Sequence, residues 1–545
     1  MRRSHSRHRR RPVCIIISFV AIAVSISIFN ATYATIVASS ASSIIRFGPP
    51  DHPEFTSSSA ISRTGVEGKA NSNVVHQADS ADEEDDDAPV AVIAHAISLI
   101  KCAKGSSVTG FLDAAAVLRQ SIHKNSIHYV PPPPSSNSTI LASSSSRYSY
   151  KMYGIVHTSC IEHAGYLDRL GYATLIRDHP VRKDDIRNEW LREHIESENC
   201  CGSAEFIKLY AYRLVEHPVV VHWDMDAVVL RPAMDDLFDV MIFPDTHGRN
   251  IRARRRIERQ RQHPTNEEED DPWPETVDAF LTRDITSARP WERVTAVQGG
   301  FLIARPNLTV FDTYISFIKE GNYTPGRGDG SGWGGLGYGG FQGAMAYQGV
   351  VAYYYDVISP GTHVELNVCR WNQVAADVIW RGPERYTEHH LQCRDHPRTY
   401  ISLDDSSSGT ASSSSLVPDY ASNTNCEDCR NTPIHLVKTV HYTACKKPWE
   451  CQLAYPRVPR DKKQSYRLEN LVNVTMCMEL VREWFVLRNE FENALEVASR
   501  GRIPSTSRSG TFEERYFMGY CRNSGGYIPM VPPPEDFDIT ALYGM

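Results

Sequence analysis

From about Tyr150 onward the apolar positions fall into short runs whose spacing alternates between strand and helix patterns. Met152–Val156 reads as a first strand. Ser203 is placed to cap a helix reaching Glu216, with Phe206, Tyr210 and Leu214 on one face. Pro218 then precedes Val219, Val220 and Val221, an unbroken apolar run of the kind found in strands buried on both faces. Phe301–Ala304 predicts another strand. Phe311–Glu320 predicts a helix ended by Gly321, and Val350–Tyr355 a further β-rich run. Cys477, Val481, Trp484, Phe491 and Leu495 recur at helical spacing between Met476 and Ala498. Strands alternating with helices predict an α/β fold with a central, mostly parallel sheet.

Upstream of Tyr150 the pattern changes. The first eleven residues hold six arginines and no acid, and no charge follows until Arg46. Residues 1–12 read as a cytoplasmic tail and 13–37 as a signal-anchor transmembrane helix, since about twenty apolar residues span a bilayer and flanking arginines stay cytoplasmic. The small residues Ala38–Ser43 keep a cleaved signal peptide open as the alternative. Either reading sends the body to the lumen of the Golgi or endoplasmic reticulum, as a single-pass type II protein if the anchor is kept. Residues 38–149 are rich in Ser and Ala, carry the acidic run Asp82–Asp87 and the prolines 131–134, and predict a disordered stem with one apolar patch, Ala88–Ile100, able to form a helix. The catalytic body is expected over 150–455, with insertions at 245–292, 326–340 and 400–432, followed by a helical extension over 456–545.

Composition narrows the class. A hydrophobic fraction of 41% supports a sizeable core, and a net charge of −7 gives no footprint for nucleic-acid binding. Of thirteen cysteines, Cys14 lies in the apolar run. The remaining even number suits disulfides in an oxidising lumen. Cys426 and Cys429 form a CxxC with no second pair at zinc-finger spacing, so they close a local disulfide or join two separate bridges. Sequons at Asn137, Asn307, Asn322 and Asn473 are compatible with a glycoprotein.

The chemistry gathers at Asp224-Met225-Asp226, directly after the buried valine run. Ligands of open α/β sheets sit at the carboxyl ends of strands. Two carboxylates two residues apart can share one hard divalent cation, which would bridge a diphosphate and neutralise a leaving group. The stretch Lys208–Phe238, with Lys208-Leu209, the DxD, Val229-Leu230 and Asp235-Asp236-Leu237-Phe238, resembles the core of the glycogenin-like glycosyltransferases, family eight. Val440-His441-Tyr442 followed by Lys447-Pro448-Trp449 resembles that family's second motif.

The resemblance implies a GT-A-type fold and a retaining transfer of a hexose or pentose from a UDP-sugar to a glycan or glycoprotein hydroxyl. It implies Asp224, Asp226 and His441 as ligands of manganese or magnesium, Lys447 on the diphosphate, and Lys208 near the diphosphate or sugar. Gln298-Gly299-Gly300 resembles the family's Asn-Ser-Gly and belongs to the donor-binding set. Phe341-Gln342-Gly343 resembles its Asp-Gln-Gly, with Gln342 facing the donor sugar and Phe341 in place of the acid. Retention by a covalent intermediate and by front-face departure both stay open. So do two other readings: a catalytically inactive glycan-binding relative, and a self-glycosylating enzyme with acceptors such as Tyr353-Tyr354-Tyr355.

Overall fold

The computed structural model describes residues 91–542, apart from 101, 103–108, 127–147, 198–201, 233, 245–275, 285–293, 295, 375–428, 430–431, 444, 452–466, 507–516 and 523–525. The expected anchor over 13–37 lies outside the described residues. Among the described residues, no helix is long and apolar enough to cross a membrane.

Among the described residues, seven strands form the central sheet: β1 (Ala91–Leu99), β2 (Tyr148–His157), β3 (Tyr172–Arg177), β4 (Val220–Trp223), β6 (Ala279–Arg283), β7 (Val297–Ala304) and β8 (His363–Glu365). Their order is β8-β6-β7-β4-β1-β2-β3. β1 pairs parallel with β2 and β4, β2 with β3, and β8 with β6. Only β7 runs against its neighbours, β4 and β6. The sheet is therefore mostly parallel, and the antiparallel β7 brings its own beginning beside the carboxyl end of β4. A two-stranded ribbon lies beyond β4, with β5 (Ala227–Val229) antiparallel to β9 (Thr439–His441).

Both faces of the sheet are covered, so its strands read as apolar runs without alternation. On β1, Ile93, Ile97 and Leu99 pack on one side with α1 (Thr109–Asn125), α2 (Met234–Ile242) and the end of α5 (Arg467–Ala498), through Leu112, Phe238 and Phe491. Ala94 and Ala96 pack on the other side with a 3-10 helix at Gly202–Arg213, α3 (Leu308–Glu320) and α4 (Tyr347–Tyr353), through Phe206, Tyr314 and Val350.

Four sequence expectations need correction. Ala91–Leu99 is a central strand, not a helix in a stem, and α1 is buried beside it. The body thus includes a strand some sixty residues before Tyr150, and Met152–Val156 belongs to the second strand. A run buried on both sides has no period to separate strand from helix. The stretch 245–292 is not wholly an insertion, because β6 lies inside it, hydrogen-bonded between β7 and β8. Val350–Tyr355 is helical rather than extended: α4 continues into a wide turn at Tyr354–Ile358. Its Val and Tyr residues favour strands alone, but packing overrides that preference. The glycine-rich stretch 326–340 folds onto the body through Trp333, whose Nε1 donates to Ala344 O at 2.8 Å. There Gly332 has φ +73°, and a Cβ would lie 2.0 Å from the Tyr338 carbonyl carbon.

Among the described residues, disulfides join Cys102–Cys160, Cys369–Cys429, Cys445–Cys477 and Cys451–Cys521. Cys429 thus pairs outside its CxxC. The last two bridges tie the segment after β9 to α5 and to a short antiparallel pair, Cys521–Arg522 with Gly526–Tyr527.

Candidate active site

β4 ends at Trp223, and Asp224 N donates to Gly300 O of β7 at 2.9 Å. The chain turns at Asp224–Asp226 and re-enters as β5. In the ribbon, His441 sits opposite Ala227, and Tyr442 N donates to Asp226 O at 2.9 Å. This register carries His441 across more than two hundred residues of sequence to the two carboxylates. Its Nε2 lies 3.3 Å from Asp226 Oδ1 and 3.6 Å from Asp224 Oδ2. Donor atoms of Asp224, Asp226 and His441 all fall within 4.8 Å of one another. Two carboxylate oxygens and one imidazole nitrogen form a mixed donor set that fits a divalent first-row cation such as manganese.

Two lysines complete the cluster. Lys208 Nζ lies 2.7 Å from Asp224 Oδ1 and donates to Gly299 O at 3.3 Å. Lys447 Nζ pairs with Asp226 Oδ2. Burial alone would raise the Asp224 carboxyl, but Lys208, then His441 and His222, overcome it and hold the group at about 2. Burial lowers His441, Asp224 and Asp284 oppose it and Lys208 adds to it, so the neutral imidazole is favoured.

Gly300 explains the glycine pair on β7. A Cβ there would lie 2.4 Å from Cε1 and Nδ1 of His441, so the imidazole occupies the space that any side chain would need. Gln298 holds the ring from behind, with Nε2 2.9 Å from His441 Nδ1, while its Oε1 accepts from Gly300 N at 2.6 Å. Gln298 therefore supports the imidazole.

The sequence also missed residues. Gln342 is exposed, and none of the cluster's hydrogen bonds or ion pairs given above reaches it. Gln348, six positions later at the start of α4, donates to Asp284 Oδ2 and to Val297 O, both at 3.2 Å. A Cβ on Gly299 would lie 3.0 Å from Gln348 Cγ. Gln348 and the buried Asp284 thus lie together beside β7. A helix start after the glycine-rich stretch was the signal available. Asn372, which donates to Gln298 Oε1 at 3.1 Å, carried no sequence signal.

The Lys447 segment is anchored on both sides. Cys445 and Cys451 flank it with their disulfides, and Trp449 packs on Phe111 and Trp484 at centroid distances of 5.1 and 6.0 Å. Tyr354 and Tyr355 are buried and unsuited as sugar acceptors. A second acidic group, Asp356, His363 and Glu365, surrounds Arg283, whose Nη2 lies 2.6 Å from Asp356 Oδ1 and 2.5 Å from Glu365 Oε1. The guanidinium already serves as the cation there.

No family model matches the chain. No curated protein matches it either. Solved structures similar to it include mouse xyloside xylosyltransferase 1 in its apo form, with 11% identity, 64% of this chain and 97% of that chain covered, and a TM-score of 0.29. The Q189E active-site mutant of LgtC shows 11% identity, covers 68% and 99%, and has a TM-score of 0.31. The glycosyltransferase GlyE of Streptococcus pneumoniae TIGR4 shows 12%, 77% and 67%, with a TM-score of 0.29. At such TM-scores these likenesses carry no argument, and the functional reading rests on the site.

Proposed function

We propose that this chain is a metal-dependent, retaining glycosyltransferase that moves a sugar from a UDP-sugar to a glycan or glycoprotein hydroxyl. One observation carries the reading: Asp224, Asp226 and His441 converge at the carboxyl end of β4 with two lysines on the same carboxylates. Charge supports a diphosphate ligand. The two carboxylates and two lysines are formally neutral together, so a divalent cation leaves the site at about +2, suited to an anionic diphosphate.

When bound, the cation would supply neutralisation of charge on the departing diphosphate. Lys447, half-buried beside Asp226, is placed to turn from that carboxylate to a phosphate oxygen as a point charge. Lys208 stays with Asp224 and Gly299 O, holding the first carboxylate in place. Asp284 and Gln348 offer polar groups on the other side of β7 for sugar hydroxyls. Cleavage of the bond between the anomeric carbon and the diphosphate leaves the electron pair on the phosphate oxygen, and the acceptor hydroxyl bonds to that carbon and loses its proton. The disulfides among the described residues support an oxidising compartment, and on that ground the body is assigned to the secretory lumen.

A panel of UDP-sugars tested with Mn2+ for turnover and binding checks the proposal. Asp226→Asn should lower turnover by roughly 100- to 1000-fold, the scale of one electrostatic transition-state group. A folded Asp226→Asn protein with wild-type turnover would refute the assignment.

A further inference from the structure

We infer that Gln298 sets which ring nitrogen of His441 carries the proton, and thereby restrains ion binding at Asp224 and Asp226 until its own amide turns over. The inference rests on the metal-site reading above and concerns what governs that site.

The orientation of the Gln298 amide is dictated by a backbone group. Gly300 N–H donates to Gln298 Oε1 at 2.6 Å, and Asn372 Nδ2 donates to the same oxygen at 3.1 Å. Reversing the amide would set its NH2 group against the Gly300 N–H, donor facing donor. The Gln298 Nε2 therefore points at His441 Nδ1, 2.9 Å away. A primary amide nitrogen only donates, so Nδ1 accepts and the neutral ring carries its proton on Nε2. That Nε2 is the atom facing the carboxylates, 3.3 Å from Asp226 Oδ1 and 3.6 Å from Asp224 Oδ2. In the ion-free protein that N–H faces the two carboxylates.

An imidazole binds a metal through a lone pair, and a ligating histidine normally gives its other N–H to an acceptor. Here the other nitrogen meets a donor. Binding through Nε2 therefore requires the ring proton to move to Nδ1 and the Gln298 carbonyl to turn toward it. No proton is gained or lost overall. Asn372 is equipped for the second arrangement: its Oδ1 is buried without a partner, while its Nδ2 also donates to Thr282 Oγ1 at 2.9 Å. If Asn372 turns with Gln298, that idle oxygen accepts from the reversed amide. Gln298 is thus a positioning residue acting through His441, and Asn372 its partner.

The test uses the full chain and Mn2+ alone, titrated by electron paramagnetic resonance above the pH range of imidazole protonation. Gln298→Glu keeps an acceptor for Gly300 N and presents a second acceptor to His441 Nδ1. It should bind Mn2+ about ten-fold tighter than the wild type, the lower end of outer-shell effects on metal affinity. Gln298→Met removes the opposing donor without adding charge and should also bind more tightly, by less. Nitrogen-15 histidine spectra, assigned with His441→Asn, should show the ion-free wild-type proton on Nε2 and its move to Nδ1 on adding diamagnetic Mg2+. A wild-type ring already protonated on Nδ1, or both variants binding no tighter than the wild type, overturns the inference and leaves the metal site standing. Asp226→Asn binding Mn2+ as well as the wild type, or a wild type that binds none, overturns the metal-site reading itself.

Discussion

Replacing Gly300 with Ala adds one methyl group at the tightest point of the site. The added Cβ would stand 2.4 Å from His441 Cε1 and Nδ1, whereas ordinary contact begins near 3.4 Å, so about 1.0 Å must be found (3.4 − 2.4). Gly300 lies within β7, a strand conformation that alanine adopts without strain. The ring cannot yield freely, because Gln298 holds Nδ1 and β9 is paired through Thr439–His441. Metal sites tolerate ligand displacements of only about 0.2 Å, so a shift of this size should take Nε2 out of coordination. Overpacking of this kind typically costs about 1–3 kcal/mol of stability. Mn2+ affinity should fall by at least about ten-fold, the scale of lost outer-shell support. Calorimetric Mn2+ titration alongside thermal unfolding measures both effects. Gly299→Ala is the control: its Cβ meets Gln348 Cγ at 3.0 Å and Tyr347 Cδ1 at 3.3 Å, so it should disturb packing while sparing Mn2+ affinity. A folded Gly300→Ala protein with wild-type affinity would show that the imidazole is not held where ion binding needs it.

Three other outcomes are expected. Replacing Cys445 and Cys477 together by Ser should cost typically 2–4 kcal/mol in denaturant unfolding; it should also raise KM for the donor, because the bridge stands two residues from Lys447, and an unchanged KM would detach the bridge from the site. Arg283→Met strands Asp356 and Glu365 and should destabilise by about 3–5 kcal/mol in the same assay, with much of the loss recovered when Asp356→Asn and Glu365→Gln are added; equal instability of the combined variant would deny the ion-pair account. The Asp224 carboxyl lies below its ordinary 3.8 in the folded, ion-free protein, so protonation favours the unfolded chain. Its contribution is present above pH 3.8 and is lost as pH falls toward 2; Asp224→Asn should flatten that part of the stability profile, and an identical slope would contradict the pairing with Lys208.

The sequence carried what is local. Val219–Val221 followed by Asp224 and Asp226 is a buried strand ending in two carboxylates, and chain order alone puts those groups at a ligand-binding edge. His441 and Lys447 were legible through a motif, since neither a lone histidine nor a lone lysine signals a metal or a phosphate. Tertiary structure decided the rest. β1 was invisible because burial on both faces erases the period that distinguishes strand from helix. β6 was hidden within a charged stretch, and its place depends on hydrogen bonds to β7 and β8 that no local pattern encodes. Gln348 went unnoticed because local pattern cannot say where a helix begins after a run of glycines; the packing of Tyr347, Val350 and Val351 does. The orientation of Gln298 belongs to the same class. It depends on a backbone N–H of β7, an asparagine from a distant loop and a histidine on the ribbon, which only the fold brings within hydrogen-bonding reach.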